Sequence, residues 1–212
     1  MNKAIEQTGK PKLEISINQK PDNWEHLTEA NRFLEMTKLA SAPELTAYDK
    51  VLALLHDNPN DVPLLMAYGR LLEGKEGTAE AVRIYQQVLA ATPDFTPAKL
   101  RLAVLAAGQN RPDARAQEWA QQARTAYPTD PEAARILGIL VELNGGDATR
   151  AINLIKESLV ATPDEPESLY YLARAQLRSS EKAEGRANLR KALSNHLRDD
   201  LAIEAEAMLK KE

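Results

Sequence analysis

The sequence predicts an all-α protein, a right-handed solenoid built from stacked pairs of helices. Composition supports this class, because 43% of the 212 residues are apolar, 27% are charged and only 5% are aromatic, with helix-favouring residue types in the majority. Periodicity supports it too, since four prolines recur at intervals of 34, 35 and 35 residues: Pro59, Pro93, Pro128 and Pro163. A period of this length is typical of helix-pair repeats.

Each recurring proline lies between two amphipathic segments, in the sequences NPNDVP, TPDFTP, YPTDP and TPDEP. The first proline ends one helix, and the second is tolerated in the first turn of the next. These turns divide the chain into four full repeats, over residues 62–95, 96–130, 131–165 and 166–196. A small residue recurs in the first helix of each repeat, at Gly69, Ala103, Gly138 and Ala173. A small side chain there lets the second helix approach closely.

The segments beside the four repeats are predicted to extend the same architecture. Residues 23–61 read as a divergent repeat, with Glu35 where the later repeats have Gly or Ala. Residues 197–212 are predicted to form a helix that caps the end of the stack. Its apolar face carries Leu201, Ala205, Met208 and Leu209. Together these segments and the repeats make a helical repeat domain over residues 23–212.

The first 22 residues are polar and lysine-rich, with a brief apolar alternation at Leu13, Ile15 and Ile17. We expect a flexible arm or linker there. The alternative is a short strand that adds to the sheet of a partner or lies in the groove of the solenoid.

The repeat pattern is best preserved in VPLLMAYGRLLEGKEGTAEAVRIYQQVLAATP and in the last repeat. Over roughly residues 60–193 the chain resembles the tetratricopeptide repeat family, whose repeating unit is a helix-turn-helix of this length. The two middle repeats have one extra residue at the turn. The last two repeats with the cap resemble more narrowly those of bacterial tetratricopeptide proteins in envelope and exopolysaccharide export, including proteins linked to exosortases.

Several functions are not expected from these residues. The net charge of −4 has no long basic block, which disfavours nucleic acid as a partner. The chain has no cysteine, and its three histidines have no zinc-binding spacing. It also has no G-x-S-x-G elbow. We therefore expect no enzyme activity, cofactor or metal.

The sequence alone does not determine the cellular compartment of the protein. No stretch has the roughly 20 apolar residues that span a bilayer, and the N-terminus has no apolar signal region. As written, the chain is expected to be cytoplasmic. It would be periplasmic if a signal or anchor had been removed.

The resemblance to the family implies a concave groove lined by the first helix of each repeat. Projecting the family's contact positions onto this sequence gives thirteen candidate partner-binding residues: Met66, Arg70, Glu73, Leu100, Arg101, Val104, Arg135, Ile139, Glu142, Tyr170, Tyr171, Arg174 and Arg178. Arginine forks pair with carboxylates and tyrosines give rigid contact area, so an acidic, partly apolar peptide would suit this face. The family's carboxylate clamp needs Lys and Asn where this chain has Met66 and Arg70, so that clamp is not predicted.

The predicted function is a non-catalytic scaffold that binds a protein or peptide in the groove and supports assembly of a bacterial complex. Two alternatives are a homo-oligomerising module and an accessory segment of a larger envelope or polysaccharide-export protein. A structural alternative for the arginines is that they pair with Glu73, Glu142 and Glu167 instead of binding a partner.

Overall fold

The computed structural model of the chain describes residues 44–73, 77–109 and 114–210. These residues belong to one compact unit. The predicted arm over residues 1–22 and the first helix of the divergent repeat, with Glu35, lie outside the described residues. The described part contains ten helices in chain order: α1 (Glu44–Asp57), α2 (Val62–Glu73), α3 (Thr78–Ala91), α4 (Thr96–Ala107), α5 (Ala114–Ala126), α6 (Pro131–Leu143), α7 (Ala148–Leu159), α8 (Pro166–Arg178), α9 (Lys182–Ser194) and α10 (Asp199–Lys210).

Acidic residues before the helices set where several of them begin. The Asp130 carboxylate accepts hydrogen bonds from the backbone N–H groups of Glu132 and Ala133, at 2.7 and 3.2 Å. Pro131 occupies the first turn, where no N–H is needed. Asp147 caps α7 in the same way, and a longer Glu side chain caps α8. These carboxylates therefore act as N-caps, and α6 and α8 each have a proline in the first turn as well.

The turn between α6 and α7 depends on a glycine. Gly145 has a φ of 68°, a left-handed conformation that other residues rarely adopt. The N–H of Gly146 donates to the carbonyl of Val141 at 2.8 Å, and the N–H of Gly145 donates to the carbonyl of Glu142 at 3.1 Å. This is a Schellman ending, in which a left-handed residue satisfies the last carbonyl groups of the helix.

Close packing inside each helix pair requires the small residues of the first helix. A Cβ atom on Gly69 would lie 2.6 Å from the ring of Tyr85, and one on Gly138 would lie 2.7 Å from the Ile155 side chain. Real Cβ atoms do not make contacts this short. Glycine therefore sets the distance between α2 and α3 and between α6 and α7, as the sequence predicts.

The last helix covers the end of the stack. Leu201 and Ala205 of α10 are buried in the main core, and Met208 and Leu209 pack against it with partial exposure. The first helices also contact each other along the stack, α4 with α6 and α6 with α8. Within the described residues no pair of second helices has comparable contact, so the first helices form the inner row of the curve.

Candidate partner-binding groove

The helices α2, α4, α6 and α8 carry all thirteen predicted binding residues, but they expose only some of them. Six are buried: Leu100, Arg101, Ile139, Glu142, Tyr170 and Tyr171. Seven are partly or largely exposed: Met66, Arg70, Glu73, Val104, Arg135, Arg174 and Arg178. Six of the candidates are thus withdrawn from solvent in the structure, and partner binding by the thirteen residues stays a prediction.

Arg101 is predicted to contact a partner, and the structure instead makes it a core residue with 8% exposure. Its Nε donates to Glu73 Oε1 at 2.9 Å, and its Nη2 hydrogen-bonds to the other carboxylate oxygen of Glu73. Its Nη1 donates to Glu132 Oε1 at 2.9 Å. The Tyr85 hydroxyl completes this carboxylate site, donating to Glu73 Oε1 at 2.6 Å. These contacts hold α2, α3, α4 and α6 together.

Glu142 has a similar structural role in the next part of the stack. Glu142 is 2% exposed, and its carboxylate accepts a hydrogen bond from Arg178 Nη1 at 2.7 Å, with Arg174 Nε at 3.5 Å. Burial raises the pKa of Glu142, and the charges of Arg178 and Arg174 oppose that shift. Arg178 also donates to the carbonyls of Gly145 and Gly146, at 3.2 and 2.9 Å. It therefore joins α8 to the end of α6.

Tyr170 is one of the thirteen candidate partner-binding residues, and its side chain is completely buried. Its hydroxyl donates to Glu204 Oε2 of α10 at 2.6 Å, and its ring packs edge-on against Tyr171 with 5.0 Å between centroids. Arg174 lies over both rings, with its guanidinium carbon 5.8 Å from each centroid. Because α10 covers the Tyr170 side chain, the contacts of this ring stabilise the fold itself.

The groove arginines therefore divide into paired and unpaired ones. Arg101, Arg174 and Arg178 are bound to Glu73 or Glu142, whereas Glu167 pairs with Arg198, at 3.4 Å. Exposed Arg70 approaches a carboxylate only at 3.8 Å. Arg135 makes no ion pair or hydrogen bond with any residue in the described part of the chain.

Arg135 lies beside a cavity of about 350 Å³ between α4, α6 and α8, which we call the Arg135 cavity. Four of the predicted residues meet there: Val104, Arg135, Ile139 and Tyr171. Glu167 and Arg198 also line it. Arg198 could not be found by projecting repeat positions, because it follows the last repeat. Met66 and Arg70 lie elsewhere on α2, and Leu100 packs against Ala123 and Ala133.

Two further searches covered the described residues only. Among them, no group of three or more His, Cys, Asp or Glu side chains is arranged to hold a metal ion. Within the same residues, no helix is long and apolar enough to cross a membrane.

Helix pairs of nearly constant length, stacked one upon the next, define an α-helical repeat solenoid. Two family models described as tetratricopeptide repeat match residues 77–140 and 138–202, which together make up more than half of the chain. The protein belongs to the tetratricopeptide repeat family. Its members are generally non-catalytic scaffolds that bind protein partners.

Solved structures of other proteins share the fold at low sequence identity. MamA from Desulfovibrio magneticus RS-1 is 17% identical with a TM-score of 0.58, over 81% of this chain and 96% of that one. TTC0263, a tetratricopeptide repeat protein from Thermus thermophilus, is 22% identical with a TM-score of 0.53, over 85% and 98% of the two chains. PilW, a type IV pilus biogenesis factor, is 18% identical with a TM-score of 0.60, over 87% and 92%.

Comparison with curated proteins found no significant match to the sequence. The narrower resemblance to envelope-export proteins stays a prediction, as does a bacterial origin.

Proposed function

We propose that this protein is a non-catalytic scaffold that holds a segment of a partner protein against the inner row of first helices and so supports assembly of a complex. The observation that carries the proposal is the Arg135 cavity, because a guanidinium with no carboxylate partner among the described residues lies there beside apolar side chains on the inner face. The arginines Arg101 and Arg178 on this face already have carboxylate partners. Arg135 thus has guanidinium N–H donors that no described residue accepts from, and a partner can accept from them.

The chemistry of this face favours an acidic and partly apolar partner. Arg70 and Arg135 supply charge, and half-buried Met66 and Val104 supply apolar contact. A guanidinium and an aliphatic side chain side by side suit a segment in which acidic and apolar residues alternate. One structural neighbour, PilW, is a type IV pilus biogenesis factor, and this supports the proposal as an analogy of fold.

The test is partner capture from extracts of the native cell. We would compare the wild type with a groove variant carrying Arg70→Glu and Arg135→Glu. A matched control carries Arg83→Glu and Arg190→Glu, on exposed positions of the second helices α3 and α9. Arg101 is left unchanged because its substitution would damage the core.

The proposal predicts a protein that binds the wild type and the control but not the groove variant, and whose purified form reproduces that order. Equal binding to all three forms would contradict the proposal. Light scattering over a range of concentrations tests the homo-oligomer alternative, since self-association would give a mass that rises with concentration.

A further inference from the structure

The helix α10 has two faces of different character. One face carries Leu201 and Ala205, which are buried in the main core. The opposite face has an exposed stripe that runs from the first turn of the helix to the last, and we call it the outer stripe: Asp199, Ile203, Ala207 and Lys210. The spacing of three or four residues between successive members places these side chains on one face of the helix. The outer stripe is therefore a surface that the rest of the described chain does not cover.

An aliphatic side chain lies near the centre of the outer stripe. Ile203 is 70% exposed, although it is in the middle of α10. The helices that cap a repeat stack usually have a polar outer face. Ala207, one turn further along, is exposed as well, and its small side chain permits close approach of a second helix. Covering Ile203 with another apolar surface would release free energy, because it removes apolar area from water.

The two ends of the outer stripe carry opposite charges. Asp199 lies in the first turn of α10 and Lys210 in the last, and neither makes an ion pair with any described residue. This placement suits the dipole of α10 itself. It also makes the outer stripe complementary to a copy of itself that runs in the opposite direction, because acid then faces base at both ends.

A twofold axis across α10 brings two such stripes together. In a twofold interface the same surface of both copies takes part, and each contact occurs twice. Two antiparallel α10 helices place Asp199 of each copy beside Lys210 of the other. The same arrangement places Ile203 of each copy within one turn of Ala207 of the other. Apolar contact at the centre and ion pairs at the ends are therefore formed by one and the same geometry.

The size of the outer stripe sets the strength of such a contact. The helix has 12 residues, which corresponds to a length of about 18 Å. One helix face of this length buries less than the roughly 1,200–2,000 Å² of a stable interface. The expected dimer is therefore weak, with a Kd of about 10–1,000 µM.

We propose that a second copy of this chain covers the outer stripe, giving a twofold dimer in which the two α10 helices pack antiparallel. None of the outer-stripe residues lines the Arg135 cavity. The inference is therefore independent of the proposed function, and it predicts two copies of the scaffold in one complex.

The test is sedimentation equilibrium of the full chain at low salt, over a concentration range of about 5–500 µM. The wild type is expected to pass from the mass of one chain to the mass of two. Ile203→Glu is expected to weaken the dimer by about tenfold or more, because it replaces the central apolar contact by two like charges. The matched control is Val160→Glu at the end of α7, where Val160 is 85% exposed. This control is expected to dimerise like the wild type.

Exchange of the terminal charges tests the antiparallel direction. Asp199→Lys and Lys210→Asp each place like charges opposite each other, and each is expected to weaken the dimer by about tenfold. An equal mixture of the two variants is expected to restore association, because every Lys at position 199 or 210 then faces an Asp. A change in the stability of α10 alone would not be restored by mixing.

Four results would overturn the inference. They are a wild type that stays monomeric over the whole range, a dimer that Ile203→Glu leaves unchanged, a mixture that associates no more tightly than its two components, and a mass that rises beyond two chains. The groove variant with Arg70→Glu and Arg135→Glu is expected to dimerise like the wild type. Loss of the partner and loss of the dimer are thereby measured separately.

Discussion

Replacing Arg101 by Met removes the guanidinium that joins α2, α4 and α6 while keeping most of the aliphatic volume. Glu73, whose side chain is 13% exposed, would lose two hydrogen bonds and keep the one from Tyr85. The Glu132 side chain is 40% exposed and would regain water. Breaking a buried ion pair costs about 3–5 kcal/mol, and the exposure of Glu132 puts this site near the lower end, at about 3 kcal/mol.

The measurement is urea unfolding followed by circular dichroism, with thermal unfolding alongside. A loss of about 3 kcal/mol should lower the Tm by about 6–12 °C in a chain of this size. Arg150→Met at an exposed position of α7 is the matched control, with an expected change within about 0.5 kcal/mol. Adding Glu73→Gln to Arg101→Met should cost less than the sum of the two single changes, because the residues share hydrogen bonds. Wild-type stability in Arg101→Met, with lost partner binding, would refute the core role.

Three further changes have defined outcomes. Gly138→Ala places a Cβ 2.7 Å from Ile155, and overpacking of about 1–3 kcal/mol should outweigh the helix gain of about 1 kcal/mol and lower the Tm; a higher Tm would contradict the close approach. Burial raises the pKa of Glu142 above its ordinary 4.5, so the folded state binds more protons and loses stability as pH rises through the raised value. In urea unfolding between pH 4 and 8, Glu142→Gln should lose less stability with rising pH than the wild type does. The same pH dependence in both proteins would contradict the raised pKa of Glu142. Burial raises the pKa of Tyr85 and of Tyr170 above the ordinary 10.0, so stability should fall as pH rises beyond that value; tyrosinate absorbance that develops fully before unfolding would be inconsistent with this.

Helix packing could be predicted from the sequence because the repeat fixes which residues face each other. Gly69 and Gly138 occupy the position where the second helix crosses, and the structure shows that a Cβ at either would clash. The ion pairs could not be predicted in the same way. Arg101 and Glu73 are 28 residues apart, and Arg178 and Glu142 are 36 apart. The position of a residue in the repeat predicts which face of its helix it lies on. It does not predict whether a carboxylate of the preceding repeat forms an ion pair with that residue.

The last repeat shows a second limit of projection. Tyr170 and Tyr171 occupy positions that the family pattern assigns to ligand contact, but α10 covers Tyr170 and binds its hydroxyl through Glu204. A repeat followed by a cap has a neighbour that the inner repeats lack. Arg198, which lines the Arg135 cavity from the turn before α10, escapes projection for the same reason.

The most direct test of the scaffold's binding face is site-specific photo-crosslinking in the native cell. A benzophenone amino acid would replace Met66 or Val104 on the inner face, and Arg83 or Arg190 on the second helices, all at partly or fully exposed positions. We expect one partner protein to be crosslinked from Met66 and Val104 and from neither control position. Crosslinks from Arg83 or Arg190 alone would contradict the groove and move the binding site to the second helices.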